Sequence, residues 1–303
     1  MTGPGAPRRR VDGVLLLDKP QGITSQAAVT RVKRLYNAQK AGHTGTLDPM
    51  ATGLLPIALG EATKFSGALL DAEKTYEATI RLGVTTTTGD LEGAIVRTCA
   101  PGEIDSGAVE RVLHRFRGDI VQMPPMYSAL KHAGKPMYEY ARKGVEIERA
   151  PRQVTISSLT LDTRAGADLK ITVSCSKGTY IRVLAEDIGS ALACGACLAA
   201  LRRTRAGHVD ISGAVALEAL EGLSMAMREA RLLPVDAMVS QLPAHTLDDA
   251  GTRRVGQGMS VPIEARELHG LVRIYSSGGI FLGLGHAAEG RLQPRRMIAS
   301  DGA

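Results

Sequence analysis

The chain has 303 residues, of which 44% are hydrophobic and 22% charged, with a formal net charge of +6 and a pI of about 9.2. This composition favours a folded protein with one large and one smaller domain, and it excludes a chain that is disordered throughout. The absence of Trp, with only 3 Phe and 7 Tyr, excludes an aromatic-rich platform for stacking nucleic-acid bases. The positive charge by itself is weak support for a polyanionic partner.

No segment has the length and apolar character of a signal peptide or a membrane span. The basic start MTGPGAPRRR is followed by no suitable apolar stretch, and no run approaches the ~18 apolar residues of a spanning helix. We therefore expect a cytoplasmic protein in which residues 1–10 form a flexible start. Cys194 and Cys197 form a CxxC, but no second CxxC or nearby His pair completes a zinc site. We expect buried structural thiols and no metal.

The first predicted elements are a strand, a helix and a loop. The apolar run Val11–Leu17 predicts a buried strand that ends at a turn at Lys19-Pro20. Ser25 is the predicted N-cap of a helix whose apolar residues recur at helical spacing. The segment AGHTGTLDPMATG, residues 41–53, predicts a loop because it is dense in Gly and Thr, and the apolar GLLPIAL after it predicts another strand.

The remaining elements up to residue 240 show no regular alternation of strands and helices. They are a strand at Lys74–Leu82, a helix capped by Ser106, strands at Val154–Leu161 and Leu169–Cys175, and a helix from about Tyr180 to Ala193. This order predicts an α+β domain over residues 11–240 with a mixed, mainly antiparallel sheet.

Two segments depart from this pattern. Residues 122–152 are rich in Pro, Lys and Arg and poor in periodicity, which predicts an excursion from the core. Beyond residue 242 the composition shifts, and Val272 to Met297 supplies short strand-like pieces separated by glycines. These pieces predict a small β-rich domain over residues 245–303.

Asp48 is the candidate for chemistry, although an Asp before a Pro is by itself more typical of a turn. His43, five residues earlier, would equally be an ordinary loop histidine. No second carboxylate accompanies Asp48 at a spacing typical of an acid/base pair, and the motifs GxSxG, GxxxxGK[ST] and GxGxxG are absent. A phosphate-binding loop at residues 42–53 is an alternative, but it would require a lysine or a helix N-terminus that the sequence does not clearly offer.

Several separated segments, in the correct order, together resemble the TruB family of pseudouridine synthases. They are VLLLDKPQG (14–22), GHTGTLDPMATG (42–53), LGEATKFS (59–66), KTY (74–76), MYSALK (126–131), CSKGTYIR (175–182) and LRR (201–203). The match spans residues 11 to about 208. A shorter and less specific match near the end, GGIFLGLG with GRLQPRRMI, resembles the small PUA-type RNA-binding domain of the family. The resemblance implies the pseudouridine synthase fold with a PUA-like C-terminal domain.

The resemblance also implies a reaction: isomerisation of uridine to pseudouridine at position 55 in the T loop of tRNA, without a cofactor. The reaction breaks the N-glycosidic bond and rejoins the base to the sugar through carbon. Asp48 corresponds to the catalytic carboxylate of the family, and a carboxylate can act as nucleophile or stabilise a cationic sugar. Arg182 corresponds to the arginine that pairs with it, a charge that favours the ionised carboxylate.

A stacked base cannot reach this carboxylate, so the enzyme must flip it out of the stack. By resemblance, Tyr76 is expected to stack on the flipped base, while Tyr180 and Leu201 line its pocket. His43 is expected to pack against the rearranged T loop, near the space that the base leaves.

Residues 122–152 match the insertion that closes on the tRNA arm in bacterial members of the family. The candidate contacts to the tRNA backbone are all basic: Lys131, Lys135, Arg142, Lys143, Arg202 and Arg203. No membrane, obligatory protein partner or guide RNA is expected.

Two alternatives remain open. A non-catalytic RNA-binding or RNA-folding protein could use the same scaffold, but it would have no need of Asp48. A guide-RNA-dependent synthase of the archaeal and eukaryotic type shares the aspartate motif. The insertion at 122–152 argues against it, since a stand-alone enzyme must grip the T arm itself.

Overall fold

The computed structural model describes residues 7–102, 104–128 and 130–299. Within these ranges no helix combines the length and the apolar character needed to cross a membrane. The strands are β1 (Gly13–Lys19), β2 (Ala41–His43), β3 (Thr52–Leu59), β4 (Lys74–Leu82), β5 (Val84–Thr86), β6 (Ile95–Thr98), β7 (Gly118–Gln122), β8 (Lys131–His132), β9 (Lys135–Pro136), β10 (Arg152–Ala165), β11 (Asp168–Cys175), β12 (Ala196–Ala206), β13 (Val209–Asp210), β14 (Val215–Ala216), β15 (Ala244–Thr246), β16 (Val261–Pro262), β17 (Gly270–Tyr275), β18 (Phe281–Ala288) and β19 (Arg291–Met297). The helices are α1 (Ser25–Leu35), α2 (Gly67–Asp71), α3 (Ser106–Arg115), α4 (Met137–Ala141), α5 (Ile181–Ala191), α6 (Leu217–Gly222), α7 (Met225–Glu229) and α8 (Asp249–Gly256).

A 10-stranded sheet forms the larger part of the molecule. Its strands run in the order β14-β1-β3-β12-β4-β11-β10-β7, with β2 beside β3 and β13 beside β12. The pairs β1/β14 and β3/β12 are parallel, and the other pairs of this sheet are antiparallel. The predicted α+β class with a mixed, mainly antiparallel sheet is therefore confirmed.

A second, five-stranded sheet in the order β15-β17-β18-β19-β16 forms the C-terminal part of the chain. It has its own apolar cluster, which includes Val255 of α8 and Val272 and Leu292 of the sheet. The predicted β-rich C-terminal domain is thus confirmed. Phe281 of this sheet packs edge-on against Phe65, with ring centroids 5.3 Å apart, so that the two parts share a buried cluster.

Strand β3 is apolar along almost its whole length because both of its faces are covered. Alternate side chains of a strand point to opposite faces. Leu55 and Ile57 belong to the large cluster between the main sheet and its helices, whereas Leu54 and Ala58 belong to the cluster shared with the C-terminal sheet. A strand buried on both sides reads as a continuous apolar run, which is why GLLPIAL was a reliable signal.

Two predicted helix caps are wrong by one residue. Thr24, rather than Ser25, caps α1, and its side chain accepts a hydrogen bond from the Ala27 amide at 3.1 Å. Asp105, rather than Ser106, caps α3. In each case two adjacent residues are both suited to capping, so the sequence pattern does not decide between them.

Other predicted elements are present with shifted ends. The first strand, β1, covers Gly13–Lys19 rather than Val11–Leu17, and α5 covers Ile181–Ala191 rather than Tyr180 to Ala193. The segment predicted as a loop over 41–53 begins with the short strand β2. Pairing of β2 with the edge of β3 explains this, because it draws three loop residues into the sheet.

Residues 1–6 of the predicted flexible start lie outside the described part of the chain, but the prediction is wrong at Arg9. The Arg9 amide donates to the Asn37 carbonyl at 2.9 Å, and its Nε donates to the Tyr36 carbonyl at 3.1 Å. Carbonyl groups just beyond the end of α1 therefore hold this arginine, an interaction that a basic run does not reveal.

Three cysteines, Cys175, Cys194 and Cys197, are buried as expected, whereas Cys99 is partly exposed. All four are free thiols. Burial raises the pKa of Cys175 to about 11, so this thiol remains protonated and unreactive. Among the described residues no group of His, Cys, Asp and Glu is arranged to hold a metal ion.

Gly53 lets β3 approach β12 closely. It has φ +99°, and a Cβ at this position would lie 2.3 Å from the carbonyl oxygen of Arg203. We expect Gly53→Ala to lower the free energy of unfolding by well over the ~1 kcal/mol typical of backbone strain alone, because steric overlap adds to the strain. Urea denaturation measures the loss. Gly166→Ala is the control, since Gly166 has φ +59° but no atom within 4 Å of a Cβ. Equal losses in the two variants would contradict the close approach.

Candidate active site

Asp48 lies in the short loop of residues 44–51 that joins β2 to β3, and buried side chains hold the backbone on either side of it. The hydroxyl of Ser25 accepts a hydrogen bond from the Leu47 amide at 2.7 Å and donates to the Leu47 carbonyl at 3.0 Å. Nζ of Lys19, at the end of β1, lies 3.5 Å from the carbonyl of Pro49. The carboxylate of Asp48 is therefore presented from a fixed backbone.

Arg182 contacts Asp48 as the resemblance implied. Its Nε lies 3.0 Å from Asp48 Oδ2 and 3.7 Å from Asp90 Oδ2. Nη1 donates to the carbonyl of Thr88 at 2.8 Å, and Nη2 donates to that of Tyr127 at 2.7 Å. The Arg182 side chain is 6% exposed and that of Asp48 is 40% exposed. The guanidinium is thus fixed from several directions, while the carboxylate faces solvent and can be reached by a substrate.

Asp90 is a member of this cluster that the sequence did not single out. Its side chain is 6% exposed, and its Oδ1 accepts hydrogen bonds from the Thr88 hydroxyl at 2.5 Å and the Glu92 amide at 3.1 Å. In the segment TTTTGDLEG an aspartate after a glycine is typical of a turn. The turn is indeed present, and only the fold shows that its carboxylate also faces Arg182.

Two chambers open beside the ion pair of Asp48 and Arg182, and both chambers include these two residues in their walls. The first, of about 550 Å³, we call the tyrosine chamber. Its wall includes Lys74, Tyr76, Tyr180, Leu201 and Arg203. The second, of about 460 Å³, we call the acidic chamber. Its wall includes His43, Asp90, Glu92, Tyr127, Tyr138 and Arg142.

The tyrosine chamber gathers three of the predicted base-binding residues. Tyr76 lies on β4, Leu201 on the adjacent β12, and Tyr180 immediately before α5. Burial raises the pKa of Tyr76 and, separately, that of Tyr180, so both phenols keep their protons at neutral pH. The Tyr180 amide donates to Gln122 Oε1 at 3.0 Å, which fixes the start of the helix against β7.

Besides Arg182, three buried cations lie around the Asp48 loop: Lys19, Lys74 and Arg203. Burial lowers the pKa of Lys19 to about 8, and the charge of Asp48 opposes this effect. Burial also lowers the pKa of Lys74 to about 8, and the charge of Arg203 adds to it. Nζ of each lysine donates to backbone carbonyls, which offsets part of the cost of burying the charge.

His43 ends β2 and lies in the wall of the acidic chamber rather than the tyrosine chamber. Its Nδ1 accepts a hydrogen bond from the Gly45 amide at 3.2 Å, which places the proton of the neutral ring on Nε2. Burial, followed by the charge of Arg203, lowers the pKa of His43. The ring is therefore neutral at physiological pH.

The excursion of residues 122–152 leaves the main sheet between β7 and β10, where Gln122 pairs with Arg152. One of its early residues contacts the ion pair, because the Tyr127 carbonyl accepts a hydrogen bond from Arg182. The segment that was predicted to grip RNA is therefore physically connected to the ion pair.

The predicted contacts to the tRNA backbone fall into three groups. Four of them are exposed on the excursion: Lys131, Lys135, Arg142 and Lys143. Arg202 is partly exposed and forms two hydrogen bonds to the carboxylate of Asp18, at 3.0 and 2.7 Å. Arg203 is only 1% exposed, so its prediction as a backbone contact is wrong. Adjacent residues of a strand point to opposite faces, and Arg203 points inward.

Removal of the Ser25 hydroxyl tests how strongly the loop is anchored. We expect Ser25→Ala to lower the free energy of unfolding by about 1–3 kcal/mol, because it leaves two backbone groups of Leu47 unpaired in a buried site. Thermal or urea denaturation measures this loss. Thr30→Ala on the same helix is the matched control, since the Thr30 hydroxyl bonds only to the carbonyl of Gln26. Similar losses in both variants would show that the Ser25 bonds do not anchor the loop.

The lowered pKa of His43 makes folding dependent on pH. The unfolded chain takes up the proton near the ordinary value of 6.5, before the folded protein does. The free energy of unfolding should therefore decrease as pH falls below 6.5 through the folded pKa. In denaturation series between about pH 5 and 7.5, His43→Gln should show a smaller decrease than wild type. His269→Gln, at an exposed position, is the control. If the free energy of unfolding of the His43 variant decreases with falling pH as much as that of wild type, His43 is not the source of the pH dependence.

Comparisons with known proteins agree with the geometry. Residues 33–181 match the N-terminal domain of the TruB family pseudouridylate synthases. Residues 182–240 match a tRNA pseudouridylate synthase B C-terminal domain, and residues 243–298 match a second model, pseudouridine synthase II TruB, C-terminal.

Similar proteins and structures extend over nearly the whole chain. The tRNA pseudouridine synthase B of Azoarcus sp. (strain BH72) is 56% identical over 294 residues, 97% of both chains. That of Methylobacillus flagellatus is 54% identical, over 97% of this chain and 98% of the relative. A solved Cbf5-Nop10-Gar1 complex is similar with a TM-score of 0.69 at 30% identity, over 91% of this chain and 78% of that chain. An H/ACA RNP bound to a substrate RNA containing 2′-deoxyuridine has a TM-score of 0.72 at 26% identity, over 95% and 85%. The chain therefore belongs to the TruB family of pseudouridylate synthases.

Proposed function

We propose that this synthase converts uridine to pseudouridine at position 55 in the T loop of tRNA, with Asp48 as the nucleophile. The names of the relatives, tRNA pseudouridine synthase B, support tRNA as the substrate. The observation that carries the proposal is the half-exposed carboxylate of Asp48, held by the buried guanidinium of Arg182 at the boundary of two chambers. We also propose a cytoplasmic location, because a tRNA-modifying enzyme acts where tRNA is present.

The tyrosine chamber is the site that we assign to the flipped uracil. It combines aromatic and aliphatic side chains, from Tyr76, Tyr180 and Leu201, with the carboxylate of Asp48. A flat base that leaves the stack loses a few kcal/mol of stacking, and contact with an aromatic ring recovers part of it. The acidic chamber also borders Asp48, and His43 lies in its wall. This chamber would then face the rest of the T loop.

The contacts of Asp48 suit a group that must approach a sugar or a base. Arg182 contacts Oδ2, and within the described ranges Oδ1 forms no hydrogen bond.

In the reaction the N-glycosidic bond breaks, a carbon–carbon bond from the base to the sugar forms, and a proton leaves the carbon of the base while one is gained at nitrogen. The atoms balance without a co-reactant, so the proposed chemistry calls for no cofactor. One carboxylate can carry the sugar or base covalently between the two steps.

Binding of the tRNA arm is assigned to two basic surfaces. The exposed lysines and arginines of the excursion, together with Arg202, would contact phosphates and so position the RNA without reading its sequence. The C-terminal sheet, β15 to β19, would belong to the PUA-like domain and contact the RNA further from the reacting base. Because phosphate contacts release counterions, affinity for tRNA should fall steeply as salt increases.

A guide-RNA-dependent reaction is the main alternative, because some of the similar solved structures are ribonucleoprotein components. The solved relatives include a Cbf5-Nop10-Gar1 complex and an H/ACA RNP bound to a substrate RNA. Proteins 54–56% identical to this chain are named tRNA pseudouridine synthase B, which favours action on tRNA itself. The excursion beside the site also supports a synthase that grips its own substrate without a guide RNA or an obligatory protein partner.

The proposal is tested by mapping pseudouridine in an unmodified tRNA transcript, by chemical labelling and primer extension, after incubation with the purified protein alone. We expect a signal at position 55 with wild type. The Asp48→Asn variant should be slower by at least about 10³-fold while still binding the transcript, because it loses the nucleophile but keeps the shape of the site. Asp105→Asn is the matched control, since Asn also caps helices well and Asp105 lies at α3.

Three outcomes would overturn parts of the proposal. If wild type binds the transcript but changes no uridine, the stand-alone synthase is wrong and an RNA-binding or guide-dependent role replaces it. A signal at another uridine would contradict the T-loop assignment. Full activity of Asp48→Asn would show that the reaction does not require the carboxylate of Asp48.

A further inference from the structure

Arg203 is the largest fully buried side chain among the described residues, with 1% exposure. None of the carboxylates in the described ranges lies within ion-pair distance of it. A buried guanidinium without a counter-charge is costly unless other groups accept hydrogen bonds from it. A residue of this kind needs an explanation that neither the ion pair nor the proposed RNA contacts supply.

The acceptors of Arg203 all belong to the catalytic site or to the strand that carries it. Nε donates to the carbonyl of Leu54 at 2.8 Å, and Nη2 donates to the carbonyl of Gly45 at 3.1 Å. Tyr76 and Arg203 both lie in the wall of the tyrosine chamber, where the neighbouring guanidinium lowers the pKa of the Tyr76 phenol against the larger effect of burial. One guanidinium therefore contacts the Asp48 loop and the strand that follows the loop, and it lies beside the tyrosine of the chamber.

The sheet register explains why Arg203 lies beside Tyr76. On β12, Arg203 pairs with Gly53 of β3 on one side and with Tyr76 of β4 on the other. Paired residues on adjacent antiparallel strands have their side chains on the same face, which brings Arg203 to Tyr76. The missing side chain at Gly53 lets the two strands approach at this level.

We propose that Arg203 is a positioning residue that donates a hydrogen bond to the Tyr76 phenol, holds this phenol and the Asp48 loop in one fixed frame, and turns the phenol proton toward the tyrosine chamber. A guanidinium can only donate hydrogen bonds, so the phenol oxygen must accept from it. The phenol's own proton then points away from Arg203. This inference rests on the proposed function, because it assigns the flipped uracil to the tyrosine chamber.

The first test measures the rate of pseudouridine formation at saturating tRNA, together with the Kd for tRNA at several salt concentrations. Arg203→Met and Arg203→Lys should each lower the rate by about tenfold or more, because small misplacements of reacting groups are costly. The Kd and its salt dependence should stay close to those of wild type. Arg205→Met, an exposed position on the same strand, is the matched control.

A second test detects the contact itself. In protein labelled with ¹³C at the tyrosine Cζ, the Tyr76 signal is identified by its loss in Tyr76→Phe, and it should shift in Arg203→Lys while the other six tyrosine signals stay in place. Tyr76→Phe also tests the contact in a protein that retains Arg203. In this variant the ¹⁵N signal of the Arg203 guanidinium should shift, so a failure of the Arg203 variants to fold leaves the inference testable.

Several results would overturn the inference. Rates equal to those of Arg205→Met would show that Arg203 does not position the site. A weaker Kd with a shallower salt dependence would instead make it a phosphate contact. An unshifted Tyr76 signal in Arg203→Lys, or an unshifted guanidinium signal in Tyr76→Phe, would show that the two side chains form no hydrogen bond. Failure of the proposed function is distinguishable, since wild type itself would then form no pseudouridine.

Discussion

The ion pair between Asp48 and Arg182 is the constraint on which the rest of the site depends. Arg182 is buried and receives compensation from Asp48, from Asp90 and from two backbone carbonyls. Because Asp90 and the two carbonyls also contact Arg182, the guanidinium stays in place and fixes the position of the more exposed Asp48. The loop of Asp48, the turn of Asp90 and the start of the excursion at Tyr127 are therefore held at one point.

The main sheet brings these parts together because its central strands carry them in adjacent positions. β3 follows the Asp48 loop, β12 carries Leu201 and Arg203, and β4 carries Tyr76. α5, which begins with Ile181 and Arg182, packs against β12. Strand β3, which follows the Asp48 loop, is buried on both faces, and this rigid support allows a half-exposed carboxylate to keep a fixed geometry.

The sequence predicts the parts of the fold that depend on local pattern. Apolar runs and alternation identify β3, β4 and β11, and their antiparallel arrangement follows from the irregular order of strands and helices. The resemblance identifies Asp48 and Arg182 as partners, and the structure places them 3.0 Å apart. Their roles in catalysis remain proposals.

Other features cannot be read from the sequence because they depend on residues that are distant in the chain. Ser25 was predicted as a helix cap, but its hydroxyl instead holds the backbone of Leu47. Asp90 has the sequence context of a turn, and only folding brings it to Arg182. Arg202 and Arg203 are adjacent and identical in type, so the sequence does not tell them apart. Strand alternation buries Arg203 and leaves Arg202 partly exposed.

The most direct test of the account is a crystal structure of the Asp48→Asn variant bound to the T arm of an unmodified tRNA. The account predicts that uridine 55 has left the stack and lies in the tyrosine chamber against Tyr76, with its sugar beside residue 48. A uridine that remains stacked in the T loop, or that occupies the acidic chamber beside His43, would contradict it.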